Sequence, residues 1–462
     1  MQKLTKITAT IGPKSSPYET LKEMIACGMN VCRLNFSHDT QEAQGEKFET
    51  IRKISEELKR PIAIIADLQG PKCRIGDFAT DEKYPLTPGQ TFILDNDPTP
   101  GDSTRVQLPD VDVLNSLSKG DRVLVNDGKI ELEVVESSKC DTESEHRHCQ
   151  IVTRVVRGTE IWSRRAFNIP DTMLEASVLT DKDRSDLEYA LAKDPDYVAI
   201  SFVQTHKDVI EAREFIKART KRPIKIIVKI ERPQAIENFE RIADETDAVM
   251  VARGDLGVEI PFWEVPAATR MMLRTCRKKN KPVIIATHML ASMEQAEFPT
   301  RAEISDVATA AYLRADSAMT SEETTIGNHP VKVIDAMAKI LSAADRDSIE
   351  NSADWIRHEN LPENDWSRSV ASIAHLNKAA AIVVFDCSGE HTRAISCRRP
   401  DMPIVAVCDN AVTANQLTLS RGVFPIFNKK MFDAKDVAAA LKFAKMEQGK
   451  TVVVDGESVT LE

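Results

Sequence analysis

Short apolar runs recur along the chain, each followed by a stretch with helical periodicity. Runs at residues 7–11, 29–36 and 61–67 come first, with amphipathic segments at 17–26 and 45–59. The third run, Pro61-Ile62-Ala63-Ile64-Ile65-Ala66-Asp67, is apolar until its last residue, as expected of a strand covered on both faces of a parallel sheet. The rhythm breaks between residues 76 and 172. There Arg122-Val123-Leu124-Val125 and Glu131-Leu132-Glu133-Val134-Val135 are separated by turn signals such as Pro88-Gly89 and Asn126-Asp127-Gly128, which predicts an inserted all-β module. Alternation resumes at Thr180, which pairs with Asp183 as a helix N-cap arrangement. Strands are then predicted at 197–202, 224–231, 248–252, 282–287 and 316–320.

Three strands before the insertion and five after it make eight βα units, so the spacing predicts an α/β protein built on a (β/α)8 TIM barrel. From about residue 350, runs at 381–385, 404–407, 423–427 and 451–454 predict a separate open α/β layer. The expected organisation is a barrel from residues 1–75 and 173–349, a β lid from 76–172 and a C-terminal α/β domain from 350–462.

In a TIM barrel the chemistry sits at the C-terminal ends of the strands, and the polar residues of this chain collect there. The run Ile226-Ile227-Val228-Lys229-Ile230-Glu231 carries an ammonium and a carboxylate two positions apart, hence on one face of a strand. Burying such a pair without a ligand is costly. The second strand ends in Arg33, Asn35 and Ser37, alternating onto one face, followed by His38. The third ends in Asp67-Leu68-Gln69-Gly70-Pro71-Lys72-Cys73-Arg74, the fourth at Ser201, and the sixth at Arg253-Gly254-Asp255. The seventh ends at Thr287-His288 and the eighth at Thr320-Ser321-Glu322-Glu323-Thr324. Oxygen ligands beside Lys and Arg suit Mg²⁺ or Mn²⁺ acting on a phosphorylated anion, and thus phosphoryl transfer. No GxxxxGK[ST] loop is present, so a nucleotide would need another cradle.

The net charge of −10 argues against a nucleic-acid-binding surface. Nine scattered cysteines without a CxxC pair fit a reducing compartment better than a disulfide framework. Cys140, His146, His148 and Cys149 resemble a zinc set, but the surrounding charges read as an exposed turn. The N-terminal residues lack signal- or transit-peptide character, and no apolar run approaches the roughly 18 residues of a membrane span. A cytoplasmic protein is expected.

At this point the chain resembles the pyruvate kinase family over essentially its whole length. The resemblance rests on Thr10-Ile11-Gly12-Pro13, residues 33–38, Asp67-Leu68-Gln69-Gly70-Pro71-Lys72, residues 251–261 and Pro299-Thr300-Arg301-Ala302-Glu303-Ile304-Ser305-Asp306-Val307-Ala308. It implies phosphoryl transfer from phosphoenolpyruvate to ADP, giving pyruvate and ATP, by a cytoplasmic homotetramer. By resemblance, Lys229 stabilises the transferring phosphoryl group and the enolate, while Glu231 and Asp255 hold the divalent metal. Arg33 contacts the phosphoryl group, Thr287 lies near the methylene carbon, and Ser201 and Gly254 line the phosphoenolpyruvate pocket. Asn35, His38 and Arg74 face the nucleotide, with Asp127 on the lid.

Leu68, Gln69, Lys72 and Ile75 resemble the bacterial, K⁺-independent subgroup, in which the Lys72 ammonium would replace K⁺ near Asn35, Ser37 and Asp67. The chain departs from the family at His288, at Arg165-Ala166 in the lid hinge, and at Arg314 and Glu322 in the eighth unit. Glu322 stands where the family has a small residue and is expected to crowd the phosphoenolpyruvate pocket or repel its charge. The loop Cys387-Ser388-Gly389-Glu390-His391-Thr392 is poorer in hydroxyls than the family's effector loop, which argues against a response to phosphorylated sugars or AMP. Two other readings remain at this stage: a catalytically weakened sensor of phosphoenolpyruvate or nucleotide, and another metal-dependent enolate-forming barrel enzyme, such as an aldolase or lyase.

Overall fold

Eight parallel strands close into one ring: Lys6–Thr10, Val31–Asn35, Ala63–Asp67, Tyr197–Ile200, Lys225–Ile230, Ala248–Ala252, Val283–Ala286 and Ser317–Thr320. They are seen in a computed structural model that describes residues 3–71, 73–138, 149–174, 177–350, 365–446 and 449–462. Each strand pairs with its sequence neighbour in the barrel, and the eighth returns to the first. Strand side chains alternate between two cores. Ile64, Ala66, Val198, Ile226, Val228 and Val249 pack outward against the helices. Val31, Ala63, Ile65, Tyr197, Ile227, Met250, Ile284 and Met319 fill the barrel interior.

The interior is completed from below by the C-terminal domain. Leu419 belongs to the interior cluster and is fully buried, and the Tyr197 hydroxyl donates to the Gln416 carbonyl at 2.7 Å. Two buried ion pairs fasten the same face. Arg399 forks onto Asp316 with contacts of 2.6 and 3.0 Å, and Arg421 meets Asp345 at 2.7 Å. Arg314, at φ +53° in the left-handed region, is buried and donates to the Arg399 carbonyl at 3.0 Å. A residue that departs from the family pattern is thus part of the domain junction.

The lid is a six-stranded sheet plus the short pair Tyr84–Pro85 and Glu160–Ile161. It is not purely β. Val111–Ser116 forms a helix whose first turn is capped by Asp110 accepting from the Val113 amide at 3.1 Å. Six residues are too few to register a 3.6-residue period in sequence. The C-terminal sheet contains the four expected parallel strands and a fifth, Ser458–Leu461, which turns back antiparallel on Thr451–Asp455 through Gly456 at φ +60°. Its residues are largely exposed, so apolar patterning did not mark it.

Cys27, Cys32, Cys73, Cys276, Cys387, Cys397 and Cys408 are free, whereas Cys149 is disulfide-bonded and so is no zinc ligand. Cys140, His146 and His148 lie outside the described residues, as does Lys72. Among the described residues no helix is long and apolar enough to cross a membrane.

Candidate active site

The strand ends bring five of the expected side chains into direct contact. Register places Asn35 opposite Asp67, and Asp67 opposite Ala199, so the second, third and fourth strands present adjoining ends. Arg33 donates through Nε to Asp67 Oδ2 at 2.5 Å and through Nη1 to Thr10 Oγ1 at 2.9 Å. Lys229 Nζ lies 2.9 Å from Glu231 Oε1, 2.8 Å from Ser201 Oγ and 3.6 Å from Asp67 Oδ1. The sequence argument for a shared strand face is met by this Lys–Glu contact. Glu231 Oε2 accepts the Phe202 amide at 2.7 Å, and Ser201 Oγ donates to the Leu68 carbonyl at 2.7 Å.

Electrostatics hold the Lys229 ammonium charged. Burial works against the Lys229 ammonium, but the Asp67 and Glu231 carboxylates outweigh it and its pKa lies above the ordinary lysine value. Burial raises the Glu231 pKa, with Lys229 opposing the shift and Asp255 adding to it. Arg33 and Lys229 face Asp67, Glu231 and Asp255. The carboxyl groups outnumber the basic side chains by one. Asp67 Oδ1 is buried without a hydrogen-bond partner among the described residues. A divalent cation held by Glu231 and Asp255 would offset the excess of carboxyl groups, so the donor set fits a hard metal ion. Among the described residues no three His, Cys, Asp or Glu side chains converge as ligands.

On the opposite wall, Thr287 sits at φ +70° and His288 at φ +54°, conformations disfavoured for side-chain-bearing residues. The turn aims the Thr287 hydroxyl at strand ends: Oγ1 accepts the Gly254 amide at 2.7 Å and donates to the Ala286 carbonyl at 2.7 Å. Asp255 lies in the first turn of the helix Arg253–Glu259. Arg253 itself forks onto Asp306 at 2.7 and 2.8 Å and donates to the Thr287 carbonyl. It is a brace from the 299–308 stretch to the site wall.

The remaining expected residues are more dispersed. The second strand ends at Asn35, and Ser37 lies in the turn beyond it, donating its amide to Asn35 Oδ1 at 3.1 Å. The expected alternation of Ser37 onto the strand face is therefore corrected. His38 is exposed on the rim. Arg74 is exposed at the lid hinge, where it donates to the Arg164 carbonyl at 3.0 Å. Glu322 is exposed, and the buried acid of that loop is Glu323, which accepts the Leu290 and Ser321 amides. The helix Glu322–Thr325 starts right after Ser321, and its first side chain is open to solvent. Arg165 packs over the Trp162 ring at 5.0 Å.

Several supports were not singled out by sequence reasoning. Thr10 bridges Arg33 and the Thr320 carbonyl. Asp183, identified only as a cap residue, also accepts the Gly70 amide at 3.0 Å. Gly70 itself has φ +70°, and a Cβ there would stand 2.8 Å from Ser201 Cβ. The lid tip Asn126-Asp127-Gly128 has three successive positive φ values. Asp127 lines a small cavity of about 50 Å³ together with Asp255, Arg232 and Glu259. The lid thus reaches the wall that carries Asp255.

Residues 2–334 match the family description "Pyruvate kinase, barrel domain" and residues 364–460 match "Pyruvate kinase, alpha/beta domain". A pyruvate kinase of Methylorubrum extorquens is 40% identical over 96% of this chain and 91% of its own length. One from Thermococcus litoralis is 34% identical over 99% and 94%. The crystal structure of a pyruvate kinase from Cryptosporidium parvum superposes with a TM-score of 0.91, covering 100% of this chain and 96% of that one at 30% identity. With both catalytic-barrel and α/β-domain descriptions matched in order, and with a buried Lys–Glu–Asp–Arg cluster at the strand ends, the chain belongs to the pyruvate kinase family.

Proposed function

We propose that the Arg33, Asp67, Ser201, Lys229 and Glu231 cluster, with Asp255 and Thr287 across from it, is where the family reaction occurs in this chain: phosphoryl transfer from phosphoenolpyruvate to ADP. The observation that carries the assignment is the buried Lys229 ammonium held between Glu231 and Asp67. The P–O bond to the enol oxygen breaks, a bond to an ADP β-phosphate oxygen forms, and the enolate takes a proton at its methylene carbon. Lys229 and Arg33 supply fixed positive charge to the phosphoryl oxygens, and Lys229 also faces the enolate oxygen as charge develops there. Glu231 and Asp255 would hold Mg²⁺ or Mn²⁺, which when bound neutralises phosphate charge. Gly254 and Ser201 line the substrate pocket, and Thr287, fixed by the Gly254 amide, positions the proton donor side. On the nucleotide side, Asn35, His38 and Arg74 lie towards the lid. A cavity of about 280 Å³ lined by Pro13, Ser16, Asp39, Ala43 and Lys47 offers room for the base. The test is pyruvate formation from phosphoenolpyruvate and ADP with Mg²⁺. No turnover alongside measurable phosphoenolpyruvate binding would favour a sensor instead.

Lys72 is proposed as a tethered monovalent cation beside Asn35, Ser37 and Asp67. Activity is expected to be equal with K⁺ and with a non-activating cation in its place. A tenfold or greater stimulation by K⁺ would overturn it.

Asp386 supports a structural role for the C-terminal loop. Its Oδ1 accepts the Ser388 amide and hydroxyl and the Gly389 amide at 2.8 Å, while Oδ2 accepts the Thr392 amide and hydroxyl, each at 2.9 Å. Burial alone would raise the Asp386 pKa, but these donors hold it below the usual carboxylate value. A resident anion already occupies the loop's donors. Phosphorylated sugars and AMP are therefore expected to leave the rate at half-saturating phosphoenolpyruvate unchanged, and activation by either would refute this. The reading extends to a homotetramer working in the cytoplasm; sedimentation of the purified chain tests the assembly.

A further inference from the structure

We propose that Arg232 and Glu259 are positioning residues that link closure of the lid to occupancy of the divalent-metal site. The proposal rests on the reading of Glu231 and Asp255 as metal ligands. Four consecutive bonds tie the barrel to the segment by which the chain returns from the lid. Asn168 Nδ2 donates to Glu259 Oε1 at 2.7 Å, Arg232 Nη2 donates to the Ile169 carbonyl at 2.9 Å and the Thr172 carbonyl at 2.8 Å, and Gln234 Nε2 donates to the Pro170 carbonyl at 2.9 Å. On the barrel side these contacts begin one residue after Glu231 and at the end of the helix that carries Asp255. The segments that carry Glu231 and Asp255 therefore each hold the returning stretch 168–172 directly.

Arg232 and Glu259 are both almost wholly buried, at 3% exposure each. Arg232 Nε and Glu259 Oε2 have no hydrogen-bond partner among the described residues, and both residues line the cavity that also contains Asp127 and Asp255. Buried polar groups are rarely left unsatisfied, and two of opposite charge in one lid-to-barrel cavity mark a junction with a tighter arrangement available. A shift of Glu231 or Asp255 towards a metal moves Arg232 and Glu259 with it, and the hinge follows. Linkage then works both ways: metal favours the closed lid, and a restrained lid favours metal.

Hydrogen exchange of the amides in 167–172 provides a readout other than activity. In the full-length protein, adding Mg²⁺ and phosphoenolpyruvate to an EDTA-treated sample is expected to slow exchange in this segment. R232M is expected to lose that slowing and to raise the Mg²⁺ concentration for half-maximal rate roughly tenfold, with R232K recovering part of both. If R232M does not fold by circular dichroism, N168A, which breaks the same junction from the lid side, is expected to weaken the Mg²⁺ response. An unchanged Mg²⁺ response in N168A or in folded R232M would overturn the proposal. So would an active wild-type enzyme whose hinge exchange ignores Mg²⁺, a result that leaves the kinase assignment standing. Absence of wild-type turnover would instead count against the kinase assignment.

Discussion

Lys229→Met is expected to lower kcat by ~10³-fold or more, the scale seen when a preorganised donor to developing charge is removed, or about 4 kcal/mol of transition-state stabilisation. Methionine keeps the length and volume of the lysine stem but removes the ammonium that meets Glu231, Ser201 and Asp67. The loss should fall on kcat more than on the phosphoenolpyruvate KM, because the charge on the phosphoryl group and enolate changes most in the transition state. The same change leaves Asp67 and Glu231 buried, with only Arg33 and bound metal to balance them. Thermal unfolding of the metal-free variant should be measured alongside the rate to separate misfolding from lost chemistry. A folded variant with undiminished turnover would remove Lys229 from the catalytic role.

Asp345→Ala is expected to destabilise the protein by about 3–5 kcal/mol, the cost of leaving a buried charge without its partner. Asp345 is 1% exposed. Its oxygens accept the Leu4 and Thr5 amides at 2.8 Å each, the Thr5 hydroxyl at 2.9 Å and Arg421 Nη1 at 2.7 Å. Burial would raise its pKa, but Arg421 and the Thr5 donors outweigh burial and depress it. A depressed carboxylate contributes stability that is present above the unfolded pKa of about 3.9 and is lost as pH falls through the folded value. The gap between wild type and variant should therefore be full at neutral pH and narrow in acid. Urea unfolding at the two pH values checks both sign and size. A gap that widens on acidification would contradict the assignment of Arg421 and Thr5 as the stabilising partners.

The barrel was legible because short apolar runs recur in step with helical stretches, the third of them apolar enough to declare burial on both faces, and because the interruption between the third and fourth strands changed periodicity. Lys229 and Glu231 were legible for a related reason. Charges inside such a run have no solvated alternative, so their two-residue spacing fixed a contact that the fold then realised at 2.9 Å. Contacts between distant segments left no periodic trace. Nothing near Asp183 signals that its carboxylate also holds the Gly70 amide, and nothing near Arg232 points to residues about 60 positions earlier. Ser37 was misplaced because strand alternation was continued past the residue where the backbone turns, and beyond that point a period of two no longer governs direction.

The barrel's lower opening is closed by Leu419 and by the Gln416 carbonyl, both in the C-terminal domain and more than two hundred residues further along the chain than Tyr197. A hydrophobic interior with no floor of its own exposes Ile65, Ile227 and Met250 to water whenever that domain is absent or detached. During synthesis the barrel would emerge from the ribosome before its plug exists, so its final consolidation must wait for the end of the chain. The C-terminal domain is accordingly less an appendage that evolution can discard once regulation is lost than a stopper the catalytic domain depends on. This gives a physical reason for such a domain to persist in a chain whose effector loop is filled by its own aspartate.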